Sequence, residues 1–137
     1  MRAQKIFVLN VSAYYRTPAW PDASEPPFVN AVAAVKTAHD PMSLLTALHG
    51  IEADFGRERA RPNAPRTLDL DLVDYEGRVQ AGWPLLPHPR LAERAFVLVP
   101  LADVAPVWVH PATGVGLQAL LAALPEDERR AVVRLSA

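Results

Sequence analysis

Leucine alternates with threonine and aspartate through Arg66-Thr67-Leu68-Asp69-Leu70-Asp71-Leu72. A period of two is that of a half-buried β-strand, not of a helix. Leu68, Leu70 and Leu72 then face one side, toward a core, and Asp69 and Asp71 face the other. Two carboxylates at i and i+2 repel each other unless a positive charge lies between them. Hard divalent cations such as Mg²⁺ take oxygen ligands of this kind and commonly arrive with a phosphate substrate. On spacing alone, a solvated strand face accounts for the pair as well as a metal does. Arg57, Arg59, Arg61 and Arg66 lie just upstream, in a stretch without periodicity that also carries Pro62 and Pro65. Arginine on one side and a carboxylate-held cation on the other would match a triphosphate.

The rest of the composition narrows the classes. At 137 residues and a formal net charge of −1, the chain is expected to form one domain over 1–137, with no bulk electrostatic pull toward nucleic acid. It has no cysteine, which excludes disulfides and thiolate metal sites. No apolar run reaches the length of a membrane span, and the first residues run into an apolar strand without a cleavage-type site, so neither a membrane partner nor secretion is expected and the cytoplasm is the expected compartment. The fourteen prolines cluster outside the periodic segments and imply shaped loops.

Taken in order, residues 6–15 are β-branched and aromatic and predict a strand ending at Thr17-Pro18. Trp20 sits in the proline-rich loop that follows, as a lid on the core or a pocket wall. Residues 28–37 predict a second strand, antiparallel to the first, with Asn30 as its one polar amide. Asp40-Pro41 is a helix start, Leu44, Leu45, Leu48, Ile51 and Phe55 form one apolar stripe, and Gly56 is the expected stop. Off that stripe lie His49, Glu52 and Asp54; most such residues are solvated surface, and His49 is assigned that role. The acidic strand is expected to continue to Tyr75, turn at Glu76-Gly77 and return over 78–80. His88 stands between two prolines, a helix is expected over 90–101, short strands over 107–110 and 130–135, and a short helix before Pro125. Mixed helices and antiparallel strands favour an α+β sandwich over a doubly wound sheet.

Several of these segments together resemble the 6-hydroxymethyl-7,8-dihydropterin pyrophosphokinase family. Pro65-Arg66-Thr67-Leu68-Asp69-Leu70-Asp71 looks like its signature. Tyr14-Tyr15-Arg16-Thr17-Pro18, Phe28-Val29-Asn30-Ala31, Gly56-Arg57 with Arg59, Leu86-Pro87-His88-Pro89 and Arg94-Ala95-Phe96 match further segments in the family's order, across nearly the whole chain. The resemblance implies a ferredoxin-like α+β fold and transfer of diphosphate from ATP to the hydroxymethyl oxygen of the pterin, leaving AMP, in folate biosynthesis. It implies that Asp69 and Asp71 hold two Mg²⁺ ions. Arg57, Arg59, Arg66, Leu72 and His88 would bind ATP, with Arg57 and Arg66 also catalytic, and Thr17, Pro18, Trp20, Phe28, Asn30 and Phe96 would frame the pterin. The absence of a Walker or Rossmann glycine loop fits an ATP site built from metal and arginine.

There are departures. Asn63 stands where many members carry tryptophan, and Pro89 where some carry tyrosine. Members normally open with a strand, a Gly-Ser-Asn turn and a helix. The match here begins after them, so the expected fold lacks the family's first strand and most of its first helix. That leaves open a chain of weak or absent turnover, acting as a ligand-binding or assembly module, with self-association through an open sheet edge.

Overall fold

The computed structural model describes residues 5–18, 28–58 and 69–135, with side chains throughout these except at 56–58. The expected N-terminal strand and its partner form, but each is broken. Strand β1 (Ile6–Val11) pairs antiparallel with β4 (Ala33–Thr37), and β2 (Tyr15–Thr17) pairs antiparallel with β3 (Phe28–Asn30). The break falls where buried Ser12 takes over from the ladder. Its backbone N–H donates to the Val32 carbonyl at 2.8 Å, and its Oγ accepts from the Val32 N–H at 2.9 Å. A hydroxyl that bonds nearby backbone in this way competes with regular pairing. A bulge near Leu9, between the Val8–Val35 and Asn10–Ala34 pairs, adds local twist.

The C-terminal strand is realised as β5 (Val133–Arg134), paired with the other edge of β2, giving the order β3-β2-β5. Helix α1 (Pro41–Glu58) starts as expected: Asp40 Oδ1 accepts from the Ser43 N–H at 2.8 Å, which also lowers the Asp40 pKa. It does not stop at Gly56 but runs on to Glu58. The helix expected over 90–101 is split into a 3₁₀ turn (Leu91–Glu93) and α2 (Ala95–Val104), with Arg94 extended between them at φ −106° and ψ 100°. Helices α3 (Leu117–Ala123) and α4 (Glu126–Arg130) follow, the second of which sequence reasoning missed. The strand expected over 107–110 is reduced to a single bridge from Val109 to Gly116. The architecture is α+β with antiparallel strands.

Two hydrophobic clusters organise these elements. One gathers Ile6, Leu44, Ala47 and Leu48 from β1 and α1, and the other Leu91, Ala95, Leu98, Leu101, Leu117 and Leu124 from the later helices. The acidic segment lies between them. Leu70 and Leu72 pack against the first cluster and Val73 against the second. The alternation read from sequence is therefore kept, with both leucines half-buried and Asp69 and Asp71 exposed. The ladder is not: residues 69–74 form no strand, a correction to the expected continuous strand through Tyr75. What replaces it is a pair of tethers described below. The turn at Glu76-Gly77 forms, with φ of 52° and 67° and the Arg78 N–H donating to the Tyr75 carbonyl at 2.9 Å. Two successive positive φ values are the type I′ pattern, which suits glycine at the second position. The return strand over 78–80 does not form; Gln80 bridges instead to Leu86.

Candidate active site

Asp69 and Asp71 are exposed, whereas Leu70 and Leu72 pack against the α1 cluster. Among the described residues two backbone tethers hold the segment. Glu52 of α1 accepts the Leu70 N–H on Oε2 at 2.7 Å, between the two aspartates. The Val73 carbonyl accepts the His88 N–H at 2.8 Å. The first tether gives Glu52 a role that sequence reasoning did not assign: its carboxylate fixes the backbone that carries the acidic pair. Nothing local in the sequence marks it, because its partner is 18 residues away.

The second tether sets His88 beside the acidic pair. Its pKa lies below the usual histidine value, chiefly because the ring is half-buried, then because of Arg94; Asp71 pulls the other way and Arg90 again lowers it. His88 Nδ1 accepts the Arg90 N–H at 3.3 Å, which assigns the proton of the neutral ring to Nε2. Arg94, at the extended joint before α2, also lies over the Phe96 ring at 5.4 Å. One guanidinium thus acts on His88 and stacks on the aromatic ring expected at the pterin.

The second wall is the β2–β3 pair. Thr17 is opposite Phe28, and Tyr15 is opposite Asn30. The Asn30 Nδ2 donates to Thr17 Oγ1 at 3.0 Å, so the amide and the hydroxyl orient each other. Thr17 is buried, Asn30 half-buried, and Phe28 and Pro18 exposed. Helix α2 packs against this pair. Asp103 of α2 locks it in place: its Oδ2 accepts both the Tyr15 hydroxyl at 2.7 Å and the Ala13 N–H at 3.1 Å. Burial raises the Tyr15 pKa, the bond to Asp103 and its charge add to this, and Arg134 opposes it. Asp103 had no signal in the sequence, since it lies beyond the helix expected over 90–101 and α2 runs on to Val104.

The structure thus brings together Asp71, His88 and Arg94 on one side and Thr17, Phe28 and Asn30 on the other, with the Phe96 ring under the Arg94 guanidinium. Leu72 holds the acidic segment to the α1 cluster by its side chain. Trp20, Arg59 and Arg66 lie outside the described residues, and so does the side chain of Arg57. Among the described residues no group of three or more His, Asp or Glu side chains forms a metal cluster. Asp69 and Asp71 nevertheless fit a hard cation in their chemistry, as exposed oxygen donors two residues apart whose remaining ligands would be phosphate oxygens and water. No helix of the described residues is long and apolar enough to cross a membrane.

Comparison with known proteins adds a family. The model of the 7,8-dihydro-6-hydroxymethylpterin-pyrophosphokinase family matches residues 1–106. Proteins named 2-amino-4-hydroxy-6-hydroxymethyldihydropteridine pyrophosphokinase are similar to the chain. That of Methylorubrum extorquens is 47% identical over 102 residues, covering 74% of this chain and 65% of its own length. That of Synechocystis is 41% identical over 110 residues, 80% of this chain and 56% of its own length. The folic acid synthesis protein fol1 of Schizosaccharomyces pombe is 40% identical over 127 residues, 92% of this chain and 17% of its own length. The chain therefore spans 65% and 56% of the first two relatives.

Proposed function

Since the chain belongs to the 7,8-dihydro-6-hydroxymethylpterin-pyrophosphokinase family, we propose that it transfers diphosphate from ATP to 6-hydroxymethyl-7,8-dihydropterin in folate biosynthesis. The family's ferredoxin-like arrangement and a cytoplasmic setting belong to the same reading. The observation that carries it is Arg94, poised between His88 on the acidic side and Phe96 on the aromatic side. A substrate pair of one polyanion and one flat heterocycle is what such an arrangement suits.

In this reading the pterin hydroxymethyl oxygen forms a bond to the β-phosphorus of ATP. The bond from that phosphorus to the α–β bridging oxygen breaks and AMP leaves with the bridging electrons, while the hydroxyl proton passes to solvent. Transfer of this kind depends on positioning and charge stabilisation more than on a covalent nucleophile. Asp69 and Asp71 would hold two Mg²⁺ ions, which when bound neutralise the triphosphate and align it. The neutral His88 ring donates from Nε2 to a phosphate oxygen, and Arg94 adds positive charge beside it. Arg57, Arg59 and Arg66 would bind the remaining phosphate oxygens, and Leu72 the nucleotide. On the other wall Asn30, oriented by Thr17, reads the edge of the heterocycle, and Phe28 and Phe96 offer ring faces. Pro18 and Trp20 complete that frame.

The test is direct. The chain, given MgATP and the pterin alcohol, forms AMP and pterin diphosphate in equal amounts; if no AMP appears, catalysis by this chain is overturned. A second reading, a ligand-binding or assembly module that self-associates, is favoured by β1, where Phe7, Leu9 and Val11 stand 51%, 66% and 46% exposed at the edge of its two-stranded sheet. Light scattering separates the two, since only the second requires a dimer that Leu9→Lys dissolves.

A further inference from the structure

A cleft of about 510 Å³ lies among helices α2, α3 and α4 and strand β2, and the transfer just described makes no use of it. Val99 and Asp103 line it from α2, four residues apart and so on one face of that helix. Leu121 and Ala122 of α3 line its apolar side, Arg129 of α4 adds a guanidinium, and buried Tyr15 closes it from the sheet. The volume is that of a small-molecule site, and so is the mixture of apolar walls with a few polar groups.

Two opposite charges line this cleft without meeting. Asp103 spends only one oxygen on the fold: Oδ2 accepts the Tyr15 hydroxyl and the Ala13 N–H, and among the described residues Oδ1 accepts nothing. Among the same residues the Arg129 guanidinium forms no hydrogen bond and no ion pair, while its neighbour Arg130 pairs with Glu126 at 2.7 Å. A simple anion drawn to Arg129 would meet the Asp103 carboxylate, and a simple cation drawn to Asp103 would meet Arg129. A molecule that carries both signs satisfies both groups.

We propose that the cleft binds a small zwitterion with an apolar body, the chemical class of the apolar α-amino acids. The ammonium donates to Asp103 Oδ1, the carboxylate accepts from Arg129, and the apolar body covers Val99, Leu121 and Ala122. The ammonium takes the oxygen that the fold leaves unused, so the bonds from Asp103 to Tyr15 and Ala13 are kept. Nothing in this site depends on diphosphate transfer, and its test reads binding alone.

NMR titration of the whole chain with three probes tests it: L-phenylalanine, 3-phenylpropionate, which lacks the ammonium, and phenethylamine, which lacks the carboxylate. Phenylalanine is expected to shift the backbone amides of Leu121 and Ala122 and the Arg129 Nε–H, and to bind about fivefold tighter than either of the others, the scale of one exposed ion pair. Arg129→Gln is expected to cost phenylalanine a similar factor and to leave phenethylamine unchanged. Ala122→Trp, which fills the apolar side, is expected to weaken all three probes. Arg129 and Ala122 are both exposed, so thermal unfolding of the variants is expected to match wild type. Shifts confined to other residues, or no saturation with millimolar phenylalanine, overturn the site. Equal affinity for phenylalanine and 3-phenylpropionate, or for phenylalanine in wild type and Arg129→Gln, overturns the zwitterion.

Discussion

Thr17 and Asn30 are carried by a strand pair, whereas Asp69 and Asp71 are carried by a segment outside any strand. Strand β2 is bonded on both edges, to β3 and β5, and is locked from above by Asp103. Among the described residues the acidic segment is held by single contacts: Glu52 at Leu70, His88 at Val73, and the packing of Leu70 and Leu72. A ladder spreads the load over many backbone bonds, so one side chain matters little to its shape. A tethered segment concentrates the load, so one side chain can shift both carboxylates. The heterocycle wall should then resist substitution outside its contact residues, and the phosphate wall should not.

The largest effect is expected at the carboxylates themselves. Asp69→Ala or Asp71→Ala should lower Mg²⁺-dependent AMP formation by about 10²–10³-fold, the scale of losing a charge-stabilising group. Both residues are exposed, so thermal stability should change by no more than about 0.5 kcal/mol. Unchanged turnover in either variant would remove that residue from the metal site.

Next comes the tether. Glu52→Ala leaves the Leu70 N–H without its charged acceptor, a loss of about 1.5–3 kcal/mol for such a bond. Chemical denaturation should show it, and the Mg²⁺ requirement should rise because the carboxylates are no longer held in register. Glu52→Gln keeps an oxygen acceptor and should recover most of the stability. On the laddered wall, Val29→Ala is the counterpart, an exposed strand residue paired with Arg16, and should cost less than about 0.5 kcal/mol. If Val29→Ala proves as damaging as Glu52→Ala, the contrast between the walls is wrong.

A smaller and more selective effect is expected at Asn30. Asn30→Ala removes the bond to Thr17 and the amide proposed to read the heterocycle. One hydrogen bond of about 1 kcal/mol corresponds to roughly fivefold. That loss should fall on the KM for the pterin and leave the affinity for MgATP intact. A matching change in both would show that the two walls do not divide the substrates.

What could be read from the sequence follows the same division. The alternation of Leu70 and Leu72 with Asp69 and Asp71 was legible because side-chain period is a local property, and it holds even though no ladder forms. The cap at Asp40 and the turn at Glu76-Gly77 were legible for the same reason. The break at Ser12 was not, since it depends on a partner elsewhere, Val32. Glu52 and Asp103 were illegible because a lone acid looks the same whether it faces water or a backbone N–H. The family signature pointed to Thr17, Asn30, His88 and Phe96, and the structure adds the contacts that orient them.

The finest test concerns the charge balance around His88. Burial and the two arginines lower its pKa from 6.5, while Asp71 raises it. A histidine with a lowered folded pKa supplies stability that is present above the unfolded value of 6.5 and lost as pH falls through the folded value. Acid should therefore weaken the fold here by charging a half-buried ring beside two arginines, and the loss should begin below pH 6.5. The sign of each neighbour can be separated by NMR titration of the ring. Asp71→Asn should lower the His88 pKa further, and Arg94→Gln should raise it. Tripolyphosphate should raise it as well, because an anion against Nε2 favours the charged ring. If Asp71→Asn and Arg94→Gln move the pKa in the same direction, the ring does not lie between the acidic segment and the start of α2. The link between the two walls through Arg94 would then be lost.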